Sequence, residues 1–431
     1  MTLQDSLTKI ARQSPTAGVA GTLSVAVLLT AAFALFSCAN DAPGSTPTPT
    51  SAPNGGGQPN GTTEPPGVTD DRILFGQSAA FTGPAAELGQ NMRLGIEAAF
   101  NEANERGGVH GRRLELTSLD DAYEPEAAIA NTAALLEQEQ VFALIGAVGT
   151  PTSRSALPVA TATGSPYIAP FTGAGFLRDS ELGNVINLRA SYAQETEEMV
   201  ERLTTDLGID RIAVMYQDDS YGRAGYSGAV AAVERRGMEL AGVGVYTRNT
   251  TAVKTGILDL REGSPDAVIV IGAYRPVAAL VAWSRYTGWD PIFMTVSFVG
   301  SNALVDELGA DGAGVYVTQV VPFPTDASVP VVAAYHEALA AYAPDVSPGF
   351  VSLEGYLAGR LAAAGLELCG RELDRDCFLK STFGAGAISL DGFELEYGAR
   401  DNQGSDAVFL TAISRDGEYV ATEKLQGALD E

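Results

Sequence analysis

Short apolar runs that each end in a polar, glycine-rich loop mark the middle of the chain. Two such runs, residues 141–145 and 167–169, lead into loops of Gly, Thr, Ser and Pro, and residues 153–163 between them have the pattern of a crossover helix. Buried parallel strands produce such runs, and open α/β sheets bind ligands beyond the carboxyl ends of their strands. The pattern predicts one wall of a ligand pocket, although an ordinary strand–helix–strand unit whose loops bind nothing has the same appearance.

The same alternation extends over the chain from Arg72 onward. A strand, a long amphipathic helix that ends at Gly107 and Gly108, and another strand come first, followed by a helix over residues 124–139. Further strands are predicted in RIAVMYQDD, GMELAGVGVY, DAVIVIGAY, PIFMTV, GVYVTQVV, FELEYG and AVFLTAISRDGEYV, and further helices in GYSGAVAAVERRG, in the segment through Trp283, and over residues 331–342 and 351–368. This order predicts an α/β fold with doubly wound parallel sheets.

The N-terminus has the pattern of an export signal. Lys9 and Arg12 precede a largely apolar run over residues 19–36, and Cys38 follows after one serine. The end of the run resembles the bacterial lipobox, in which a small residue precedes a cysteine that is lipidated after cleavage, although Phe36 is bulkier than usual. An uncleaved membrane anchor is the alternative, and either reading places the rest of the chain outside the cytoplasm, in the cell envelope.

Composition separates a tether from a large folded part. Residues 39–69 consist mainly of Pro, Thr, Gly, Ser and Asn, which predicts a disordered tether. The whole chain of 431 residues is 45% hydrophobic, enough for two lobes, and its net charge of −26 disfavours nucleic acid and anionic lipid as partners. Cys369 and Cys377 are close in sequence, so export predicts a disulfide between them. A metal site is not expected, because His110 and His336 lie far from each other and from these cysteines.

From Arg72 to Val420 the chain resembles the leucine/isoleucine/valine-binding proteins, which are type I periplasmic solute-binding proteins of ABC transporters. The motifs that carry the resemblance are FTGPAAELGQNMRLGIEAAFNEANERGGVHGRRLEL, DDAYEPEAA, IGAVGTPTS, SPYIAPFTGA, YQDDSYGRAG, VIGAYRP and VPFPTD. The family implies two Rossmann-like lobes, three hinge crossings near residues 187–191, 320–324 and 397–404, and a ligand cleft between the lobes. The expected domains are 1–38 signal peptide, 39–70 tether, 71–190 with 323–398 first lobe, and 191–322 with 399–431 second lobe.

The resemblance also implies where a ligand carboxylate binds. In the family, a serine or threonine and backbone N–H groups of the first lobe hold it, and the matching positions here are Gly149, Thr150, Phe171 and Thr172. Hydroxyls and N–H groups at the start of a helix suit an anion, and the helix dipole adds roughly 0.3–1 kcal/mol. Thr150 could instead be a plain helix cap.

Four further positions match residues that line the cleft in relatives or that lie close to it. Tyr221 and Tyr274 match second-lobe aromatic residues, and tyrosine offers a closing lobe both an apolar face and a hydroxyl. Phe81 and Leu88, in the first loop and the helix after it, are candidates for the apolar side of the pocket. Surface turns for the tyrosines, and ordinary packing for the other two, are the alternatives.

The chain departs from its amino-acid-binding relatives in the loop after PIFMTV. There a second-lobe acid pairs with the ligand ammonium, but this loop offers Ser297 and Phe298 and no carboxylate. An unpaired ammonium in a closed cleft costs several kcal/mol. The expected ligand is therefore a carboxylate with an aliphatic or aromatic body, unless Asp218, Asp219 or Glu354 reaches the cleft from elsewhere.

Catalysis is the main rival function. The acid pairs Asp120–Asp121 and Asp218–Asp219 could in principle ligate a cation or act as acid and base, but successive strand residues point to opposite faces. The sequence has no GxSxG, GxxxxGK or complete GxGxxG motif, and the HExxH pattern that begins at His336 lacks its second histidine.

The expectation is thus a non-enzymatic, cofactor-free monomer. It would bind a small-molecule solute and an ABC-transporter permease, and it would touch the membrane only through its N-terminal lipid. A sensory receptor domain that reports a ligand without delivering it fits the same pattern.

Overall fold

Five parallel strands form the first of two main sheets in the computed structural model, which describes residues 65–426. Their spatial order is β2-β1-β3-β4-β5, and the register β1–β2 runs from Arg72 opposite Arg113 to Ala79 opposite Asp120. The predicted signal peptide, Cys38 and most of the predicted tether lie outside the described residues. The strands are β1 (Arg72–Ala79), β2 (Arg113–Asp120), β3 (Ala143–Ile145), β4 (Tyr167–Ile168) and β5 (Val185–Ile186).

Seven strands form the second sheet, in the order β14-β13-β10-β9-β8-β6-β7. Strands β6 to β10 are parallel, which confirms the predicted doubly wound parallel sheets, and β13 and β14 add an antiparallel pair at one edge. A separate hairpin is formed by β11 and β12. These strands are β6 (Ile212–Gln217), β7 (Gly242–Tyr246), β8 (Ala267–Ile271), β9 (Ile292–Thr295), β10 (Tyr316–Gln319), β11 (Ala387–Leu390), β12 (Phe393–Glu396), β13 (Phe409–Ile413) and β14 (Tyr419–Ala421).

Helices connect the strands and cover the sheets. Four of them, α4, α6, α8 and α11, are absent from the sequence prediction. Helices α6 and α8 span only nine and eight residues, whereas α4 spans sixteen and begins at a capping box on Ser191 that the prediction overlooked. The helices are α1 (Ala86–Glu105), α2 (Pro125–Glu137), α3 (Thr150–Ala162), α4 (Tyr192–Leu207), α5 (Ser220–Arg235), α6 (Lys254–Glu262), α7 (Tyr274–Tyr286), α8 (Ser301–Leu308), α9 (Pro330–Tyr342), α10 (Phe350–Cys369) and α11 (Arg375–Gly384).

The chain passes between the two sheets three times. It leaves the five-stranded sheet after β5, returns after β10 to place α9 and α10 beside α1 and α11 beside α10, and leaves again after β12. The first and third connections pair as parallel backbone, with the Asn187 N–H donating to the Asn402 carbonyl at 2.8 Å and the Gly404 N–H donating to the Asn187 carbonyl at 2.9 Å. We call the five-stranded sheet and its helices the first lobe and the seven-stranded sheet and its helices the second lobe. The residue boundaries of the lobes stay a prediction.

Helix α10 crosses α1 at very short range because glycines face each other's backbone. A β-carbon on Gly95 would lie 1.9 Å from the Ser352 carbonyl oxygen, and one on Gly355 would lie 2.3 Å from the Met92 carbonyl oxygen. Only glycine permits such an approach. The crossing fixes the position of the residues of α10 that point into the protein.

The folded part begins earlier than the sequence indicates. Val68 is buried in the hydrophobic core, and the Leu74 N–H donates to the Gly67 carbonyl at 2.8 Å. The predicted tether therefore ends before residue 70. The polar composition of the segment as a whole gave no indication that Val68 is part of the core.

Cys369, the last residue of α10, forms a disulfide with Cys377 in α11, with Cα atoms 5.5 Å apart. Within residues 65–426, no helix is both long and apolar enough to cross a bilayer. The same part of the chain holds no group of three or more Cys, His, Asp or Glu side chains arranged to bind a metal ion.

Candidate ligand-binding site

Two buried threonine hydroxyls meet at the start of α3. The Oγ1 atoms of Thr150 and Thr172 are 2.6 Å apart, and both side chains are fully buried. The loops that carry them are held together by backbone hydrogen bonds, since the Gly149 N–H donates to the Phe171 carbonyl at 3.2 Å. Gly149 has φ of 104°, and a β-carbon there would lie 2.2 Å from the Tyr123 ring, so this turn requires glycine.

Aromatic side chains from both lobes surround these loops. Phe298, from the loop after β9, is fully buried, and its ring centroid lies 4.6 Å from that of Tyr221 and 5.2 Å from that of Phe171. The Tyr123 ring is 6.1 Å from Phe298, and the Tyr192 ring is 5.4 Å from Tyr221. Such distances are those of packed aromatic pairs. We call these five residues the aromatic cluster.

Ser297 belongs to a buried ionic network beside the aromatic cluster. Its N–H donates to Glu195 at 2.8 Å, and its hydroxyl bonds to both Glu195 and Arg189. Arg189 also pairs with Glu195 at 3.1 Å and with Glu354 at 3.5 Å, and its guanidinium carbon lies 5.1 Å from the Phe171 ring centroid. A buried ion pair needs such additional hydrogen bonds to offset the loss of hydration. The network therefore joins α10 of the first lobe to α4 and Ser297 of the second.

Burial shifts the pKa values of two members of this region. Burial raises the pKa of Glu354 from its ordinary 4.5 to about 7, and the attraction of Arg189 opposes this only in part. Burial and the nearby charge of Arg189 lower the pKa of Arg178 to about 9. The Arg178 guanidinium donates to backbone carbonyls, among them Arg189 at 2.8 Å and Thr172 at 3.4 Å. Arg178 thereby braces the loop that carries Thr172.

Tyr274 and Leu88 approach each other at Gly300, two residues after Phe298 in the loop after β9. A β-carbon on Gly300 would lie 2.5 Å from Leu88 Cδ2 and 3.5 Å from Tyr274 Cδ1, and both side chains are buried. Phe81 is set apart from these residues, because its ring is only half buried and lies under the Arg93 guanidinium at 4.3 Å. Of the predicted site residues, Phe81 therefore lies apart, and Leu88 and Tyr274 contact each other near Gly300 rather than the Thr150–Thr172 pair.

The paired acids do not converge on one point. Each has its own partner: Asp120 bonds Thr82 at 2.5 Å, Asp121 bonds Ser78 at 2.8 Å, Asp218 bonds Arg223 at 2.7 Å, and Asp219 accepts the Tyr221 N–H at 2.9 Å. Burial raises the pKa of Asp121 to about 6. These carboxylates order loops and cap α5, as the alternation of strand residues predicts.

A polar bridge joins the lobes away from the connecting segments. Glu124 of the first lobe accepts hydrogen bonds from Arg248 at 2.8 Å and from Asn249 at 2.7 Å, both in the loop after β7. Arg248 also bonds Asp219 at 3.3 Å. Glu124 and Arg248 are partly exposed, so water screens their attraction and the bridge contributes about 1 kcal/mol at most.

Sequence reasoning missed four residues of this region: Tyr123, Tyr192, Arg189 and Glu195. Tyr123 follows the carboxyl end of β2, so the argument that selected Thr150 would also have selected it. Arg189 and Glu195 carry no such signal, because charged residues at helix starts and in connections are usually exposed.

The comparisons with known proteins agree with this architecture. A family model described as periplasmic binding protein matches residues 73–418. The crystal structure of a "possible leucine/isoleucine/valine-binding protein" from Rhodopirellula baltica is 38% identical with a TM-score of 0.79, over 82% of this chain and 98% of that one.

Two curated relatives are more distant. The "Leu/Ile/Val-binding protein homolog 7" of Brucella abortus is 29% identical over 50% of this chain and 59% of its own length, so the match spans well under two thirds of that protein. The "Leu/Ile/Val-binding protein BraC3" of Rhizobium johnstonii is 24% identical over 70% of this chain and 81% of its own length. With the family model covering most of the chain, these matches and the two-lobed fold show that the protein belongs to the type I periplasmic binding protein family.

Proposed function

We propose that the protein binds a small organic carboxylate between its lobes outside the cytoplasm and presents it to the permease of an ABC transporter. The observation that supports this best is the buried Thr150–Thr172 hydroxyl pair at the start of α3, enclosed by aromatic rings from both lobes. The names of the relatives, which include leucine, isoleucine and valine, favour a solute of this size.

The proposed binding mode follows from the chemistry of these groups. The carboxylate accepts hydrogen bonds from the hydroxyls of Thr150 and Thr172 and from backbone N–H groups, with the α3 dipole contributing roughly 0.3–1 kcal/mol. The apolar body of the ligand packs on Phe171, Tyr221 and Phe298. Closing and opening occur as a hinge motion about the three connections between the lobes.

The remaining question about the ligand is whether it carries an ammonium group. Asp218 and Asp219 are engaged on the surface and as a helix cap, so neither is available to pair with it. Glu354 is different, because it is buried and Arg189 is its one hydrogen-bond partner among the described residues, at 3.5 Å. We therefore assign Glu354 as the acceptor if the ligand is an α-amino acid; a ligand without the ammonium leaves Glu354 paired to Arg189 alone.

Calorimetry with leucine, its 2-keto acid and benzoate tests the proposal. A carboxylate ligand should bind, and Thr150→Ala should weaken that binding by about 1–3 kcal/mol, the cost of losing a hydrogen bond to a charged group. Thr205→Ala, at an exposed position on α4, is the matched control and should bind as the wild type does. Equal affinity of Thr150→Ala and the control would show that the carboxylate binds elsewhere.

The affinities of leucine and its 2-keto acid show whether the site prefers a ligand that carries an ammonium group. If leucine binds more tightly than the 2-keto acid, Glu354→Gln should abolish that preference without weakening the keto acid. A preference that survives Glu354→Gln would contradict the role of Glu354.

We also propose that Cys38 is lipidated and anchors the protein to the membrane. Cys38→Ala should lose labelling by a fatty-acid probe and should be released from membranes or left unprocessed. A variant that is still labelled would contradict the anchor. Transport, as opposed to sensing, is favoured if permease and ATPase genes adjoin this one, and disfavoured if a sensor kinase gene does.

A further inference from the structure

Tyr192 has a hydroxyl that is buried without a hydrogen-bond partner among the described residues. It is the first residue of α4, its side chain is 1% exposed, and its hydroxyl oxygen is inaccessible to solvent. Buried tyrosine hydroxyls normally have a partner, because an unsatisfied polar group costs free energy of folding. The structure around Tyr192 therefore leaves one strong donor unused.

The backbone fixes the direction of this side chain. The Tyr192 N–H donates to the Gly173 carbonyl at 2.8 Å, and a β-carbon on Gly173 would lie 2.7 Å from Tyr192 Cδ1. The ring thus lies directly against the segment that carries Thr172. Hydrogen bonding from the Thr172 and Thr150 hydroxyls opposes the rise that burial causes in the Tyr192 pKa, so both hydroxyls lie near the phenol oxygen. Neither contact reaches the geometry of a full hydrogen bond, which leaves the phenol proton unused.

Three hydroxyls therefore converge at the start of α3. In the Thr150–Thr172 pair one hydroxyl donates to the other, and so the proton of the accepting hydroxyl stays free. Tyr192 adds a second free proton, since burial raises the pKa of its phenol and keeps it protonated. Two free donors at one place match one oxygen or both oxygens of a carboxylate.

We infer that Tyr192 is a ligand-binding residue, whose hydroxyl donates a hydrogen bond to the ligand carboxylate that Thr150 and Thr172 also hold. This inference rests on the proposed function. Tyr192 begins the first helix of the second lobe, whereas the threonines belong to the first lobe. One carboxylate would thus be held by hydroxyls from both lobes at the point where they join, and binding would favour the closed arrangement.

The test is Tyr192→Phe, which removes only the hydroxyl and keeps the ring packed on Tyr221. Affinity for whichever of leucine, its 2-keto acid and benzoate the wild type binds should fall by about 10- to 150-fold, as expected for a hydrogen bond to a charged group. The melting temperature without ligand should be unchanged or higher, because the variant buries one unsatisfied group fewer. Tyr335→Phe is the matched control, since the Tyr335 hydroxyl is buried but bonded to Ser352 at 2.7 Å and Gly349 at 3.1 Å. It should lower the melting temperature and leave affinity unchanged.

The outcomes separate this inference from the proposed function. If Thr150→Ala weakens binding and Tyr192→Phe does not, the inference is overturned and the proposed function stands. A ligand-free melting temperature that falls in Tyr192→Phe as in Tyr335→Phe would show a structural role and also overturn the inference. If the wild type binds none of the three carboxylates, the proposed ligand class fails, and the role of Tyr192 fails with it.

Discussion

Glu354 should lower the stability of the protein as pH rises, and the substitution Glu354→Gln should remove this effect. Its pKa is 4.5 in an ordinary setting and about 7 in the folded protein, where burial is the main cause. The folded protein therefore holds this proton more tightly than the unfolded chain does, and the free energy of unfolding falls as pH rises from about 4.5 through about 7. At about 1.4 kcal/mol per pH unit, the loss amounts to about 3 kcal/mol, most of it between pH 5 and pH 8.

Glu354→Gln mimics the protonated carboxyl and removes this dependence. Urea denaturation at pH 5 and pH 8 should show the variant gaining about 2–3 kcal/mol relative to the wild type at the higher pH, while other titrating groups cancel in the comparison. Glu367→Gln, at an exposed position on the same helix, should show no such gain. A Glu354→Gln variant that instead loses stability relative to the wild type at pH 8 would mean that attraction to Arg189 outweighs burial, and the assigned direction of the pKa shift would be wrong.

Three further predictions concern the site and its supports. Gly149→Ala should lower the melting temperature and abolish ligand binding, because its β-carbon would clash with an aromatic ring of the cluster; retention of both properties would contradict the geometry of this turn. Glu124→Gln should leave ligand-free stability within about 1 kcal/mol and speed ligand release a few-fold in stopped-flow measurements, as expected for a half-exposed bridge between lobes; an unchanged release rate would show that the bridge does not hold the lobes closed. After export, Cys369 and Cys377 should resist alkylation without reductant, and modification of both would refute the disulfide.

The fold was largely predictable because its strands are strongly apolar. Strand β8 has the sequence AVIVI and is buried at all five residues. Its run of β-branched residues therefore predicted a buried strand clearly. The antiparallel pair β13 and β14 was not predictable as such, because strand direction depends on which edge the returning chain meets. Helix α8, with eight residues after Gly300, is too short for helical periodicity to stand out.

The site was predictable where it follows strand ends and not where it depends on burial of charge or on unusual backbone. Thr150, Thr172 and Phe298 follow β3, β4 and β9, so the position of each was implied by the sheet. The position of Tyr123 was likewise implied by the end of β2, but the direction of its side chain depends on left-handed backbone, with φ of 48° at Ala122 and 65° at Tyr123 itself, which the residue types do not predict. The burial of Arg189 depends on partners from distant segments, so it cannot be predicted from the residues next to Arg189 in the sequence.

Ligand binding by this structure would be an exchange of contacts, because the candidate residues already contact one another. A carboxylate must replace the hydrogen bond between Thr150 and Thr172, and its apolar body must separate Phe298 from Tyr221. The first exchange is favourable, since hydrogen bonds to charged groups contribute about 1.5–3 kcal/mol and neutral ones only about 0.5–1.5 kcal/mol. The second exchange is close to neutral, because one apolar contact replaces another. Two protons give up no hydrogen bond when they gain one to the ligand: that of the Tyr192 phenol and that of the threonine hydroxyl that accepts within the pair. Affinity should therefore depend on the Tyr192 phenol at least as much as on the threonine hydroxyl that must first release its partner.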